Sequence, residues 1–131
     1  MIHMGIDIGS VCAKGAAIRD GRMEKVILPT GWNIKETATL LKTALLDKMD
    51  APESAVCGVV ATGYGRVSIP YADKKVTEIT CHARGAVHLN PATRTIIDIG
   101  GQDSKLISID ADGHVQDFVM NDKCAAGTGR F

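Results

Sequence analysis

The chain has 131 residues, 15 basic and 15 acidic side chains, a formal net charge of zero and 45% hydrophobic residues. The balanced charge and the low aromatic content of 4% argue against binding to nucleic acid or to an anionic membrane. No apolar run reaches the roughly 18 residues of a membrane span, and the first residues carry no basic leader. We therefore expect a soluble, globular, cytoplasmic protein.

The first part of the chain has the pattern of three strands. Apolar residues alternate with other residues over 2–8, which is the period of a strand with one buried face. A glycine turn leads to a second strand around 14–18. The dipeptide Asp20-Gly21 then predicts a tight hairpin, because both residues tolerate positive φ, and it leads to a third strand over 22–28.

The middle of the chain predicts two helices and one buried strand. Residues 33–48 have apolar side chains at helical spacing, and Asn33 is a suitable cap. The run AVCGVVA over 55–61 is typical of a strand buried on both faces, so we expect Cys57 in the core. The glycine-containing loop TGYGR follows, and residues 80–89 predict a second helix that ends at Asn-Pro.

The most informative feature is an internal repeat. The segment DIGSVCAK contains Asp7, Gly9 and Lys14, and the segment DIGGQDSK has the same three residue types at the same spacing. Strands are again predicted near 95–99, 105–110 and 114–120, with Asp-Gly turning the last pair. A segment that is repeated once, with its two copies far apart along the chain, suggests two related domains.

The element order predicts an α/β fold with a mixed sheet and helices on its faces. We expect a first domain over 1–93 and, over 94–131, the opening β-meander of a second domain of the same kind. Because the second copy would lack covering helices, the chain is expected to be part of a longer protein.

The two repeated turns have the chemistry of a phosphate cradle. A turn of small residues lets backbone N–H groups approach an anion closely. The aspartate before each turn can hold Mg²⁺ through waters, and the lysine on the following strand can place its ammonium beside a phosphate. Ordinary hairpin turns would explain one copy, but two matched copies favour the phosphate interpretation. Two such hairpins are then expected to hold one nucleotide.

Five motifs together carry a resemblance to a known family: DIGS with its lysine, TGYGR, EITCHARGA, RTIIDIGGQDSK and MNDKCAAGTGRF. The chain resembles the ATPase activators of 2-hydroxyacyl-CoA dehydratases and the ATP-handling subunits of benzoyl-CoA reductase. This resemblance implies a ribonuclease H-like, actin-like ATPase fold. It also implies a homodimer that couples ATP hydrolysis to electron transfer, from reduced ferredoxin or flavodoxin through a [4Fe–4S] cluster to the dehydratase or reductase.

The resemblance also assigns a cluster ligand. The cysteine of the family's NDKCAAGTG motif ligates the cluster, and here that residue is Cys124. The family's second ligand lies some tens of residues further on, beyond Phe131. Since an ordinary [4Fe–4S] site needs four thiolates, we expect this chain to hold no stable cluster by itself. Adenine contacts are expected mainly from the absent half, so the chain should bind nucleotide weakly or not at all.

Besides Cys124, the candidate site residues fall into two groups. Residues expected to position water or assist hydrolysis are Asp7, Asp98, Glu78 and Gln102, and the first two are also the expected Mg²⁺ ligands. The residues expected to contact nucleotide are Gly9, Ser10, Val11, Cys12, Lys14, Gly100, Gly101, Gln102, Asp103 and Lys105.

Alternatives remain open at this point. A small-molecule kinase of the same superfamily would need no iron, and a non-catalytic nucleotide-binding or interaction module would retain the turns as structure only. Cys81 and His82 are expected to be structural, because no second Cys/His pair lies near them to complete a metal site.

Overall fold

A computed structural model describes residues 1–100 and 103–121 of the chain. The fold divides into two compact units, residues 1–77 and the residues from 78 onward. The boundary expected from the sequence, after residue 93, differs from this division. The difference has a packing cause, because Ala83 of the second helix is buried against Ile107 and Ile109 of the later strands.

The first unit is a five-stranded mixed sheet with one helix. The elements are β1 (Ile2–Ile8), β2 (Cys12–Arg19), β3 (Arg22–Pro29), α1 (Ile34–Met49), β4 (Val56–Thr62) and β5 (Lys74–Lys75). The spatial order of the strands is β3-β2-β1-β4-β5. The first three strands pair antiparallel, β4 pairs in parallel with β1, and β5 pairs in parallel with β4.

Helix α1 covers one face of this sheet and forms the core with it. Its buried side chains include Leu41 and Leu45, and the alternate residues of β1 from Ile2 to Ile8 are buried beneath it. A Cβ on Gly15 would lie only 2.8 Å from Leu45 Cδ1, so glycine allows the helix to approach the sheet. The side chain of Asn33 accepts a hydrogen bond from the backbone N–H of Glu36, as expected for the cap.

The predicted burial of Cys57 is wrong, since its side chain is exposed. Ile2 lies opposite Val56 and His3 lies opposite Gly58, so the register shifts and Cys57 has no residue across the ladder. Such a bulge interrupts the alternation of faces that the sequence pattern assumes. The thiol instead donates to the carbonyl of Ile2 at 3.3 Å.

The second unit begins with a helix and continues as an antiparallel meander of three strands that pair in chain order. Its small core includes Ala83, Ile107 and Ile109. The predicted Asp-Gly turn between the last two strands is present, with Gly113 at φ 81°. The elements are α2 (Glu78–Leu89), β6 (Thr95–Ile99), β7 (Ser104–Ile109) and β8 (Val115–Asn121). Among the described residues, no helix is both long and apolar enough to cross a membrane.

Candidate functional site

The first repeated segment forms the turn between β1 and β2. The N–H of Gly9 donates to the carbonyl of Cys12 at 3.0 Å, and Ser10 and Val11 form the tip between them. A Cβ on Gly9 would lie 2.9 Å from the Cys12 carbonyl oxygen, closer than side-chain carbons are found. Glycine is therefore required where the two strands converge on the turn.

An ion pair crosses the ladder just below this turn. Asp7 lies opposite Lys14 in the β1–β2 register, and Lys14 Nζ is 3.2 Å from Asp7 Oδ2. The lysine side chain is 52% exposed and the aspartate side chain 33% exposed. Solvent weakens such a pair, so the ammonium can move to an incoming anion at little cost.

The strand β4 places a further polar group beside Asp7. Thr62 lies opposite Asp7 in the parallel β1–β4 register. Its hydroxyl oxygen is buried and has no hydrogen-bond partner within the described part of the chain. Gly63 follows at φ 89°, and a Cβ there would lie 2.5 Å from the carbonyl oxygen of Ile8 and would also overlap the carboxylate of Asp7. The loop after β4 is thus fitted closely against the first turn.

The chain leaving β3 also contacts the first turn. The N–H of Thr30 donates to the carbonyl of Val11 at 2.9 Å, and the Thr30 hydroxyl donates to the carbonyl of Gly9 at 2.7 Å. The carbonyl of Thr30 accepts from the Thr37 hydroxyl of α1 at 2.6 Å. Thr30 is 3% exposed, so these bonds are shielded from water.

The second repeated segment forms an equivalent turn between β6 and β7. The N–H of Gly100 donates to the carbonyl of Asp103 at 2.8 Å, which reproduces the bond between Gly9 and Cys12. Asp98 lies opposite Lys105 in the register. Lys105 Nζ is 2.6 Å from Asp103 Oδ1 and 3.5 Å from Asp98 Oδ2.

The ammonium of Lys105 is held much more closely than that of Lys14. Its side chain is only 9% exposed. Burial by itself lowers the pKa of Lys105, but the hydrogen bond and charge of Asp103, followed by the charge and hydrogen bond of Asp98, outweigh it and raise the pKa above its usual value. Lys105 therefore stays charged and neutralises two carboxylates.

Helix α2 contributes a histidine that was expected from the sequence to be structural. His82 Nδ1 lies 3.5 Å from Asp98 Oδ2. The Nδ1 atom is buried and has no hydrogen-bond partner among residues 1–100 and 103–121. Glu78 is the first residue of α2, one turn before His82, and residues four apart share a helix face. That spacing was the available signal for placing His82 with the candidate Glu78.

A third group of polar side chains lies at the turn between β7 and β8. Ligand atoms of Asp110, Asp112 and His114 lie within 4.8 Å of one another. Asp110 Oδ1 accepts from the backbone N–H groups of His114 and Asp112, at 2.9 Å each. Both hydrogen bonds lower the pKa of Asp110, and the bond from His114 has the larger effect. Its carboxylate therefore stabilises the hairpin turn.

In each copy the structure brings two of the predicted site residues into an ion pair that was not predicted, Asp7 with Lys14 and Asp98 with Lys105. The contacts of Thr30, Thr37 and His82 were not predicted from the sequence, since they depend on elements that pack against the turns. The predicted residues Gly101, Gln102 and Cys124 lie outside the described residues.

The first turn suits a phosphate with its divalent cation. Oxygen atoms are the ligands that Mg²⁺ prefers. The carboxylate of Asp7 and the hydroxyl of Thr62, which has no hydrogen-bond partner among the described residues, lie on neighbouring strands. The ammonium of Lys14 adds a positive charge that a phosphate would accept. Two turns of this kind in a mixed α/β chain agree with the class of actin-like ATPase-fold proteins that the sequence resemblance implied.

Comparison with known proteins identifies the family. Residues 4–131 match the BadF/BadG/BcrA/BcrD ATPase family, and the chain belongs to this family. It is 40% identical over 131 residues to the (R)-2-hydroxyglutaryl-CoA dehydratase activating ATPase of Acidaminococcus fermentans, with 98% of this chain and 50% of that protein covered. The resemblance seen in the sequence motifs is confirmed.

Solved structures confirm the fold. The activator of the 2-hydroxyisocaproyl-CoA dehydratase from Clostridium difficile, solved with bound ADPNP, superposes with a TM-score of 0.80 at 43% identity and covers 98% of this chain and 48% of that chain. The chain thus spans about half the length of these relatives. YeaZ from Pseudomonas aeruginosa, at 14% identity, TM-score 0.62 and coverage of 92% and 67%, shares the fold alone.

Proposed function

We propose that this chain is the nucleotide-phosphate-binding half of a cytoplasmic, ATP-dependent activator of a 2-hydroxyacyl-CoA dehydratase or benzoyl-CoA reductase. One observation carries the proposal. In both copies the turn glycine donates its backbone N–H to the carbonyl three residues later, and an aspartate pairs with a lysine. Both copies lie in a chain of an ATPase family. A duplicated structural turn would need neither a repeated aspartate nor a repeated lysine at matched register positions.

The proposed chemistry is placement and charge neutralisation rather than covalent catalysis. The turn after β1 would donate backbone N–H groups to phosphate oxygens, and Lys14 would move from Asp7 to the phosphate. Mg²⁺ would be held near Asp7, with Thr62 beside it. Asp98 would position water in the second copy, with Glu78 and Gln102 as the further candidates from the sequence.

The electron-transfer part of the proposal rests on the family resemblance. Cys124 would ligate a [4Fe–4S] cluster that a homodimer shares, and reduced ferredoxin or flavodoxin would supply the electron. The partner type follows relatives that are named as activators of 2-hydroxyacyl-CoA dehydratases and a relative from Thauera aromatica that is named as one of the subunits of benzoyl-CoA reductase.

Nucleotide binding is tested directly on this chain by two-dimensional ¹⁵N NMR during a titration with Mg·ADP into the millimolar range. Because the first turn lies within this chain, we expect weak but saturable binding, in which the amide signals of Gly9, Ser10 and Cys12 shift. A sulfate titration at matched ionic strength is the control for nonspecific anion effects. Saturable shifts confined to other parts of the chain, or none, would refute the proposal for this chain.

The activator function needs a separate test, on a polypeptide of the relatives' length that contains these residues. After anaerobic purification we expect equal amounts of iron and acid-labile sulfide, together with ATP-dependent activation of a 2-hydroxyacyl-CoA dehydratase. An iron-free protein that phosphorylates a small molecule would instead establish the kinase alternative.

A further inference from the structure

The structure assigns a positioning role to Thr30, which lies outside the repeated motifs. We propose that Thr30 orients the backbone N–H groups of Ser10 and Cys12 toward the phosphate of a bound nucleotide. This inference rests on the function proposed above and adds to it a residue that selects the binding conformation of the first turn.

Thr30 holds two carbonyl groups of the first turn. Its hydroxyl binds the carbonyl of Gly9 at 2.7 Å, and its N–H binds the carbonyl of Val11 at 2.9 Å. The described chain has no cis peptide bond, and in a trans peptide the C=O and the following N–H point in opposite directions. The N–H groups of Ser10 and Cys12 therefore point away from Thr30.

The local sequence explains why Thr30 can reach both carbonyls. Pro29 lies opposite Cys12 at the end of edge strand β3, and Thr30 continues the pairing by one residue. Gly31 then takes φ 64°, a left-handed conformation that glycine adopts readily, and turns the chain toward α1. Thr30 is left buried beside the tip of the turn.

Helix α1 also holds Thr30 in place. The Thr37 hydroxyl donates to the carbonyl of Thr30 at 2.6 Å and also to the carbonyl of Asn33 at 3.1 Å. Both threonines are less than a tenth exposed. The N-terminal end of α1, Thr30 and the tip of the turn between β1 and β2 therefore form one hydrogen-bonded unit.

The test compares three variants in the Mg·ADP titration. Thr30→Val keeps the shape of the side chain but removes the hydroxyl, and we expect the dissociation constant to rise about 3- to 10-fold, the effect of one lost hydrogen bond. Thr30→Ser keeps the donor and should stay within about 2-fold of the parent chain. Thr39→Val is the matched control, because Thr39 donates to Lys35 on the exposed side of α1.

Equal affinities of Thr30→Val and the parent chain would overturn the inference, as would an equal loss in Thr30→Ser. Should Thr30→Val fail to fold, Thr37→Val decides the question, with an expected 2- to 3-fold loss and no loss if the inference is wrong.

The outcome is separable from that of the proposed function. If the parent chain shows no Mg·ADP response, the proposed function fails for this chain, and the inference is then judged by the amide signals of Ser10 and Cys12 without ligand. Thr30→Val must shift these signals and change their hydrogen-exchange rates, whereas Thr39→Val must not. Unchanged signals in Thr30→Val would overturn the orientation itself.

Discussion

The two repeated hairpins share a backbone and differ in the state of their lysines. In both, a glycine N–H closes the turn on the residue three positions later, and an aspartate faces a lysine across the ladder. Lys14 is 52% exposed and Lys105 is 9% exposed. Within the part of the chain that the structure describes, Lys14 has one carboxylate partner and Lys105 has two. A repeated motif has therefore acquired two electrostatic roles.

One aligned position accounts for the second carboxylate partner of Lys105. Cys12 in the first turn corresponds to Asp103 in the second, since each accepts the bond from the turn glycine. The carboxylate of Asp103 reaches Lys105 at 2.6 Å, and a thiol in the first turn offers no such charge. We infer that Lys14 remains available to a ligand, while Lys105 mainly keeps Asp98 and Asp103 neutralised.

The largest expected effect is that of Lys105→Met on stability. Removing the ammonium leaves two partly buried carboxylates without their shared cation, so we expect the free energy of unfolding to fall by about 2 kcal/mol. Lys14→Met is the matched control and should cost less than about 1 kcal/mol, because its pair is exposed. Urea denaturation followed by circular dichroism measures both, and equal losses would contradict the assigned difference.

Nucleotide affinity, unlike stability, should depend more on Lys14 than on Lys105. Lys14→Met is expected to raise the dissociation constant for Mg·ADP about 10-fold, since a charge-assisted contact with phosphate is lost. The ¹⁵N titration measures this change. A variant that binds as well as the parent chain would show that Lys14 stays with Asp7 when the nucleotide is bound.

The aligned position itself can be exchanged. Cys12→Asp should bring a carboxylate next to Lys14 and to the phosphate, and we expect about 5-fold weaker binding of Mg·ADP from the lost cation and the added repulsion. Cys12→Ser is the control and should change the affinity by less than about 2-fold, because the turn acts through backbone groups. If both variants bind alike, the charge at this position does not set the role of the lysine.

The smallest effect is a pH dependence of the second hairpin. The pKa of Lys105 is raised in the folded chain above its ordinary value of 10.5. Its stabilising contribution is therefore complete below about pH 10.5 and is lost as the pH rises through the folded-state pKa. The stability difference between the parent chain and Lys105→Met should shrink above this pH and stay constant between about pH 7 and 9. A difference that shrinks below about pH 9 would contradict the raised pKa.

Much of the fold was predictable because its signals are local. Alternating apolar residues, Asp-Gly turns and helical spacing each depend on neighbours within one element, and the predicted strands and helices are present. The placement of each aspartate and lysine on adjacent strands of one hairpin was predictable as well, since the turn length sets the register of a hairpin, but their ion pairs were not predicted. Cys57 was mispredicted because a register shift against β1 interrupts the alternation, and no local pattern of β4 reveals its partner strand.

By itself the sequence determined the two repeated turns, their aspartates and lysines and the family to which the chain belongs, because all of these are encoded in short segments. Only the tertiary structure decided the exposure of Lys14, the burial of Lys105, the approach of His82 to Asp98 and the bonds of Thr30 to the first turn. Each of these depends on which distant element packs against a hairpin, and burial and hydrogen bonding arise from that packing rather than from spacing along the chain.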